Sequence, residues 1–243
     1  PFTLDTVNGA DFVTALTALS STSNLSDTAT TPLDIVLVLD ASGSMNDPMG
    51  GGDDTKRIDA LKSAANSFID EIAKQNATVK DAVKQHQVAI VKFAGNKTDK
   101  VGNGRYRDDG NWYNYSQVMK TLAPCINDTK SDFSSQVNAI KPAGATNAAA
   151  GLELAKGQTS KRSDARKVVI FFTDGTPTEY SDFSPEVASS AVGYAKDMKD
   201  AGAVVYSIGI FQGADPATYP DPQRVSNENN FMHAVSSNYP SAT

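Results

Sequence analysis

The chain is short of the residues that build disulfide frameworks and imidazole-based sites. Its 243 residues contain one cysteine, Cys125, and two histidines, His86 and His233. A single cysteine excludes an internal disulfide, and the positions of the two histidines support neither a zinc site nor a Ser–His–Asp arrangement. We expect Cys125 to be a small buried apolar residue and His233 to pack in the interior.

An excess of basic residues and long apolar runs are also missing. The chain carries 22 basic and 28 acidic residues, for a formal net charge of −6, and no basic cluster interleaved with aromatic residues. This composition argues against a nucleic acid partner. No apolar run approaches the ~20 residues of a membrane-spanning helix, so we expect no membrane insertion. The hydrophobic content of 40% is enough for a real core, and the length suits one large α/β domain as well as two small ones.

One short apolar run is followed directly by an acid and two hydroxyls. Residues 35–39 end at Asp40, and Ser42 and Ser44 come immediately after it. Such a run between turn signals predicts a strand buried on both faces, and open α/β sheets bind their ligands at the carboxyl ends of such strands. Alternate residues of a turn can point the same way, and their oxygens suit a hard cation such as Mg²⁺ or Ca²⁺. Taken alone, the segment could instead simply begin the helix that follows it.

Two further segments carry related chemistry. A second apolar run, residues 168–173, ends in Asp174 and Gly175, and residues 144–147 (GATN) open an alanine-rich stretch with helical character. The DxSxS sequence after a buried strand, the GxTN-type loop before a helix and the TDG turn after a later strand resemble the von Willebrand factor A domain. The resemblance covers roughly residues 30–243.

This resemblance implies both a fold and a metal site. The fold is α/β, a doubly wound, Rossmann-like, mostly parallel sheet flanked by helices. The site is a metal-ion-dependent adhesion site for Mg²⁺, with Ca²⁺ or Mn²⁺ as substitutes, in which one coordination position stays open for a partner's carboxylate. All five ligand positions of the family match residues of this chain, namely Asp40, Ser42, Ser44, Thr146 and Asp174.

Residues beside these loops are expected to form a ligand-binding rim. The expected rim residues are Met45, Asn46, Asp47, Asn147, Gly175, Trp112 and Tyr113. Trp112 and Tyr113 lie in residues 95–115, a glycine-rich segment longer than a usual connection. Exposed aromatic side chains there would suit a binding surface, but Trp112 and Tyr115 could also pin the segment to the body of the domain.

The rest of the chain alternates between strand and helix patterns. We interpret residues 1–32 as an extended lead-in or an added strand, and residues 33–243 as one A-type domain with an inserted loop around 95–115. Predicted strands lie at about 34–39, 87–94, 116–122, 167–173 and 203–210, and predicted helices at about 56–75, 131–140, 147–156, 185–200 and 226–236. The last strand and the long last helix typical of the family are not found before Thr243.

A finer resemblance is to the A domains at the tips of sortase-assembled pili of Gram-positive bacteria, carried by residues 34–45, 209–216 and 231–240. It implies an extracellular, cell wall-anchored virulence adhesin that binds a host extracellular-matrix or mucosal protein or glycan. Other implied partners are the pilus shaft or neighbouring adhesin domains, and we expect the fragment to be monomeric.

We expect a binding domain and not an enzyme, but two alternatives stay open. One is an A domain whose metal only stabilises its loops. The other is a Mg²⁺-dependent phosphoryl-transfer enzyme of the haloacid-dehalogenase type. Such an enzyme needs a second acid two residues after Asp40, where this chain has Ser42.

Overall fold

The computed structural model describes residues 31–50, 52–159, 161–210 and 227–237. Most of the predicted lead-in, residues 1–30, lies outside this part of the chain. The strands in chain order are β1 Leu33–Asp40, β2 Pro48–Gly50, β3 Asp53–Lys56, β4 Gln87–Phe93, β5 Arg105–Asp108, β6 Asn111–Asn114, β7 Gln117–Pro124, β8 Arg166–Thr173, β9 Thr178–Glu179, β10 Asp182–Phe183 and β11 Val204–Gly209. The helices are α1 Arg57–Asn76, α2 Lys130–Asn138, α3 Ala148–Gln158, α4 Pro185–Asp200 and α5 Asn227–Val235.

A mostly parallel sheet in the order β11–β8–β1–β4–β7 forms the centre of the fold. β1 pairs in parallel with β4 and β8, β11 pairs in parallel with β8, and β7 pairs antiparallel with β4. Helices α1 and α2 cover one face, and α3, α4 and α5 cover the other. The α/β fold with a mostly parallel sheet flanked by helices was predicted from the sequence and is confirmed. The ends of each predicted strand and helix lie within two residues of the ends of an observed one.

The apolar character of β1 follows from its central position. Ile35, Leu37 and Leu39 point into the core beneath α1, whereas Val36 and Val38 point into the core beneath α3 and α4. Because both faces are covered by helices, alternation between polar and apolar residues disappears along the strand. The first polar side chain after this run is Asp40, where the strand ends.

Within the segment predicted as a long loop, residues 95–115, the hairpin β5–β6 forms over residues 105–114. Tyr106 stacks on Tyr113 and also contacts Tyr115, with ring centroids 5.6 Å and 5.1 Å apart. The Tyr106 hydroxyl donates to the carbonyl of Lys141 at 3.2 Å. These tyrosines hold the hairpin against the body, whereas Trp112 is 64% exposed and does not pin the segment.

The predictions for the cysteine and for His233 are confirmed. Cys125 is fully buried, and burial raises the pKa of its thiol to about 12. His233 is buried on α5, and His86 is buried at the start of β4. In the described ranges, none of the helices combines the length and apolarity that crossing a bilayer requires.

Candidate functional site

Polar side chains converge where β1 and β8 end side by side. Leu39 pairs with Phe172 in the register of these strands, so Asp40 and Thr173 follow as neighbours. The Thr173 hydroxyl donates a 2.7 Å hydrogen bond to Asp40 Oδ2. The sheet topology therefore brings Asp40 beside Asp174, the residue after Thr173, across 134 positions of sequence.

The loop after β1 adds two hydroxyls to these acids. The Ser42 amide donates to Asp40 Oδ1 at 2.8 Å, which folds the turn back over the end of the strand. The hydroxyls of Ser42 and Ser44 lie 3.1 Å apart, and the Ser44 hydroxyl donates to Asp174 Oδ1 at 3.0 Å. The side chains of Ser42, Ser44 and Asp174 thus form a hydrogen-bonded chain of oxygen atoms, and the backbone amide of Ser42 connects it to Asp40.

The third loop is held against the first by backbone hydrogen bonds. The Gly43 amide donates to the carbonyl of Gly144, and the Ala143 amide donates to the carbonyl of Ala41, both at 2.8 Å. Two residues further on, the amide of buried Thr146 donates to the Thr178 hydroxyl at 3.0 Å. These contacts place the Thr146 loop beside Ser42 and Ser44.

Gly144 allows this close approach of the loops. Its φ of +78° lies in the left-handed region, which favours glycine. A Cβ atom built there would lie 2.6 Å from Cε1 of Tyr115. The ring of Tyr115, at the base of the β5–β6 hairpin, therefore limits where the Thr146 loop can lie.

Two carboxylates lie close together in a buried site. Asp40 is fully buried, and the side chain of Asp174 is only 1% exposed. Burial, and secondly the charge of Asp174, raise the pKa of Asp40 to about 7, although hydrogen bonds from Ser42 and Thr173 oppose the shift. A bound cation would relieve this repulsion.

A positive side chain already contacts one of the acids. Arg57, the first residue of α1, donates from Nη1 to Asp174 Oδ2 at 2.8 Å. Neither Arg57 nor Thr173 was predicted from the sequence as a site residue. Thr173 could have been recognised from its place in the TDG turn, but Arg57 lies 117 residues from its partner and nothing in its local sequence points to Asp174.

The expected rim residues that follow β1 differ in their exposure to solvent. The side chain of Met45 is fully buried in the core beneath α1, because the turn at 43–46 directs it inward, so it is unsuited to contact a ligand. Asn46 and Asp47 are exposed, and Asn46 accepts a hydrogen bond from Lys56 at 2.9 Å.

The other expected rim residues also occupy different environments. Asn147 is buried and caps α3, with its Oδ1 accepting from the Ala150 amide at 3.1 Å. Gly175 and Tyr113 are half-buried, and the ammonium group of Lys141 lies 5.1 Å from the centroid of the Tyr113 ring. Exposed Trp112 stands on the outer face of the hairpin, where Arg105 lies 5.9 Å from its ring centroid.

The donor set suits a hard cation better than a transition metal. No three histidine, cysteine or acidic side chains meet in a possible metal cluster within the described part of the chain. The assembled site offers two carboxylates and hydroxyls, all of them oxygen donors. Oxygen-only sets with few charges are typical of Mg²⁺ sites that keep some water ligands.

Comparison with known proteins assigns the fold to a family. A family model described as the von Willebrand factor type A domain matches residues 34–239. A search among curated proteins gave no match. The open conformation of the pilus adhesin SpaC from Lactobacillus rhamnosus GG is similar in structure, with a TM-score of 0.56 and 18% identity over 84% of this chain and 26% of SpaC.

Two other pilus proteins show comparable likeness. The minor pilin PilB from Streptococcus sanguinis has a TM-score of 0.56 and 14% identity over 77% of this chain and 52% of PilB. The vWF domain of the type V pili tip protein Mfa5 from Porphyromonas gingivalis has a TM-score of 0.51 and 12% identity over 74% of this chain and 81% of that one. At such low identity these structures establish similarity of fold alone, and this chain spans about a quarter of the length of SpaC.

Proposed function

The chain belongs to the von Willebrand factor type A family, and on this premise we propose that it is the ligand-binding domain of a pilus-type surface adhesin. The observation that carries this proposal is the hydrogen-bonded chain of oxygens from Ser42 through Ser44 to Asp174, with buried Asp40 beside it. No covalent bond of the partner needs to break for such a site to act, so the proposed activity is binding and not catalysis.

The proposed site holds Mg²⁺, for which Ca²⁺ or Mn²⁺ can substitute. Its ligands would be Asp40, Ser42, Ser44, Thr146 and Asp174. The bound ion supplies one open coordination position, which an Asp or Glu carboxylate of the partner can fill. Hydroxyl ligands are neutral, so they leave positive charge at the site to attract that carboxylate.

The chain's own residues give the site its shape. The Thr173 hydroxyl and the Ser42 amide fix the two oxygens of Asp40, so this carboxylate is oriented before any ion arrives. The backbone hydrogen bond from the Gly43 amide to the Gly144 carbonyl fixes the spacing of the first and third loops. The ligand oxygens are therefore preorganised by the fold.

The proposed partners are host extracellular-matrix or mucosal proteins or glycans, with the pilus shaft or neighbouring adhesin domains as further contacts. The similar solved structures support this proposal, because they are described as a pilus adhesin, a minor pilin and a pilus tip protein. They also support an extracellular position on the cell surface. Of the expected rim, exposed Asn46, Asp47 and Trp112 are the side chains best placed to meet a partner.

Adhesion to an immobilised panel of host matrix and mucus proteins tests the proposal. Purified protein is applied with Mg²⁺, then with EDTA, then with Mg²⁺ restored. We expect binding to at least one panel member that EDTA removes and Mg²⁺ restores. Mg²⁺ that stabilises the fold without any adhesion would favour the alternative of a purely structural metal.

Two buried aspartates on the same strand supply a matched pair of variants. Asp40→Asn removes a proposed metal ligand and should abolish metal-dependent adhesion. Asp34→Asn neutralises a buried carboxylate at the other end of β1 and should leave adhesion intact wherever the variant is folded by circular dichroism. Adhesion that survives both EDTA and Asp40→Asn would refute the metal bridge.

A further inference from the structure

Two buried aspartate–arginine ion pairs lie at opposite ends of the central sheet. Asp174 pairs with Arg57 at the carboxyl end, and Asp34 pairs with Arg162 at the amino end. In both pairs the aspartate side chain is 1% exposed and the arginine side chain is 22% exposed. The two pairs thus match in residue type and burial, although Arg162 contacts both oxygens of Asp34 whereas Arg57 contacts one oxygen of Asp174. Only the pair of Asp174 and Arg57 lies at the proposed metal site.

We propose that Arg57 is a resident counter-cation of the metal site, which holds Asp174 before the metal binds and weakens binding of the metal itself. This inference rests on the proposed function, since it concerns the same carboxylate. It assigns to Arg57 a positioning role that the sequence motif does not contain.

Arg57 first affects the metal-free site. A buried carboxylate without a partner is costly, and Asp174 has Asp40 as a close neighbour of like charge. Arg57 Nη1 contacts one oxygen of Asp174 and the Ser44 hydroxyl contacts the other. Both oxygens are therefore fixed in place without an ion, and Arg57 stabilises the assembled loops.

Arg57 also affects binding of the ion. A guanidinium is always charged in proteins, so a cation that shares Asp174 with Arg57 meets a like charge across one carboxylate. The contact between Arg57 and Asp174 is also incomplete, because Arg57 Nε is buried and has no hydrogen-bond partner in the described part of the chain. Arg57 thus competes with the metal for Asp174.

Arg57 also changes the net charge that the partner's carboxylate meets. With both acids ionised, the two carboxylates, Arg57 and a divalent ion sum to one positive charge, which an incoming carboxylate neutralises. Without Arg57 the loaded site would be neutral, and the same carboxylate would leave it negative. Arg57 is therefore expected to weaken metal binding and strengthen docking of an anionic ligand.

The test compares Arg57→Gln with the matched control Arg162→Gln. Titration calorimetry measures the Kd for Mg²⁺ alone, and thermal unfolding in EDTA measures the stability of the metal-free fold. We expect Arg57→Gln to bind Mg²⁺ about tenfold more tightly and to melt at a lower temperature in EDTA. Arg162→Gln should also melt at a lower temperature, but with an unchanged Kd.

The outcomes separate this inference from the proposed function. Absence of Mg²⁺ binding in wild type and in both variants would refute the metal site itself. Normal Mg²⁺ binding by wild type with an equal or weaker affinity in Arg57→Gln would overturn only the role of Arg57. If Arg57→Gln does not fold, Arg57→Lys keeps the charge and should bind Mg²⁺ within about threefold of wild type. A tenfold change in the lysine variant would overturn the charge argument.

Acetate serves as the probe for the ligand carboxylate. In protein loaded with paramagnetic Mn²⁺, acetate that reaches the ion shows a broadened methyl proton resonance. We expect several-fold weaker broadening in Arg57→Gln than in wild type or Arg162→Gln at equal Mn²⁺ occupancy. Equal broadening in all three proteins would overturn the inference that Arg57 strengthens docking of an anionic ligand.

Discussion

Asp40 is expected to make the metal-free protein less stable as the pH rises. It is fully buried, and burial together with the charge of Asp174 raises its pKa from 3.8 to about 7. The folded protein therefore keeps a proton on Asp40 at pH values where the unfolded chain has released it. The perturbation that isolates this effect is Asp40→Asn, which keeps the shape of the side chain and cannot ionise.

The sign and the magnitude follow from proton linkage. The pKa of Asp40 is higher in the folded protein than in the unfolded chain, so protonation of Asp40 stabilises the fold. This stabilisation is fully present below about pH 4, declines between pH 4 and 7, and is absent above about pH 7. A shift of roughly three pKa units at about 1.36 kcal/mol each corresponds to about 4 kcal/mol. Asp40→Asn should therefore match wild type near pH 4 and exceed it by up to about 4 kcal/mol at pH 8.

Urea unfolding in EDTA from pH 4 to pH 8 measures this difference. Titrating groups that do not interact with Asp40 contribute equally in both proteins, so the difference reports Asp40 together with Asp174, the acid coupled to it. Mg²⁺ at about 100 times its Kd should then return about 2.7 kcal/mol to wild type and nothing to Asp40→Asn. A difference between the two proteins that does not change with pH would refute the reasoning, as would equal stabilisation of both by Mg²⁺.

Three further predictions follow from the described contacts. Gly144→Ala places alanine in a left-handed backbone conformation, with its Cβ 2.6 Å from the Tyr115 ring. This variant should lower the free energy of unfolding by about 2–4 kcal/mol and weaken Mg²⁺ binding. Wild-type values in both measurements would contradict the loop geometry. His86 Nδ1 accepts a 2.9 Å hydrogen bond from the Leu33 amide, and burial lowers the pKa of His86. Neutral His86 therefore stabilises the fold above pH 6.5, and this stabilisation is lost as the pH falls below that value. In urea unfolding, His86→Gln should therefore lose less stability than wild type between pH 7 and 5. Identical losses would show that His86 is not responsible for this pH dependence. Trp112→Ala should change stability by less than about 0.5 kcal/mol because the ring is exposed, yet reduce adhesion; full adhesion would exclude Trp112 from the rim.

The strands and the loops of the proposed metal site were predictable because their sequence signals are local or periodic. Continuous apolar runs such as residues 35–39 indicate strands covered on both faces, and the structure confirms this for β1. The sequence motif also placed Asp40 and Asp174 at strand ends. Their proximity depends on the pairing of β1 with β8, which the predicted parallel sheet made a natural expectation.

The hairpin and the true environment of the rim depended on contacts that no local pattern encodes. Residues 105–114 have turn signals but weak alternation, and their pairing is supported by tyrosines that stack with each other and reach the Lys141 carbonyl. Met45 points inward because of one short helical turn, so its place in the motif did not reveal its direction. Arg57 reaches Asp174 only because α1 begins beside the end of β8.

The site's charge explains why a fold that already assembles the ligands would still respond to a metal. Backbone bonds among Ala41, Ala143, Gly43 and Gly144 hold the loops together without help from an ion. These hydrogen bonds do not balance the charge of the site, where two buried acids lie beside one arginine, Arg57. With both acids ionised, the metal-free site carries a net charge of −1, and on the proposed function a divalent ion changes this charge to an excess of +1. The excess is the amount that one carboxylate of a partner protein would neutralise, so metal occupancy and partner binding are expected to strengthen each other.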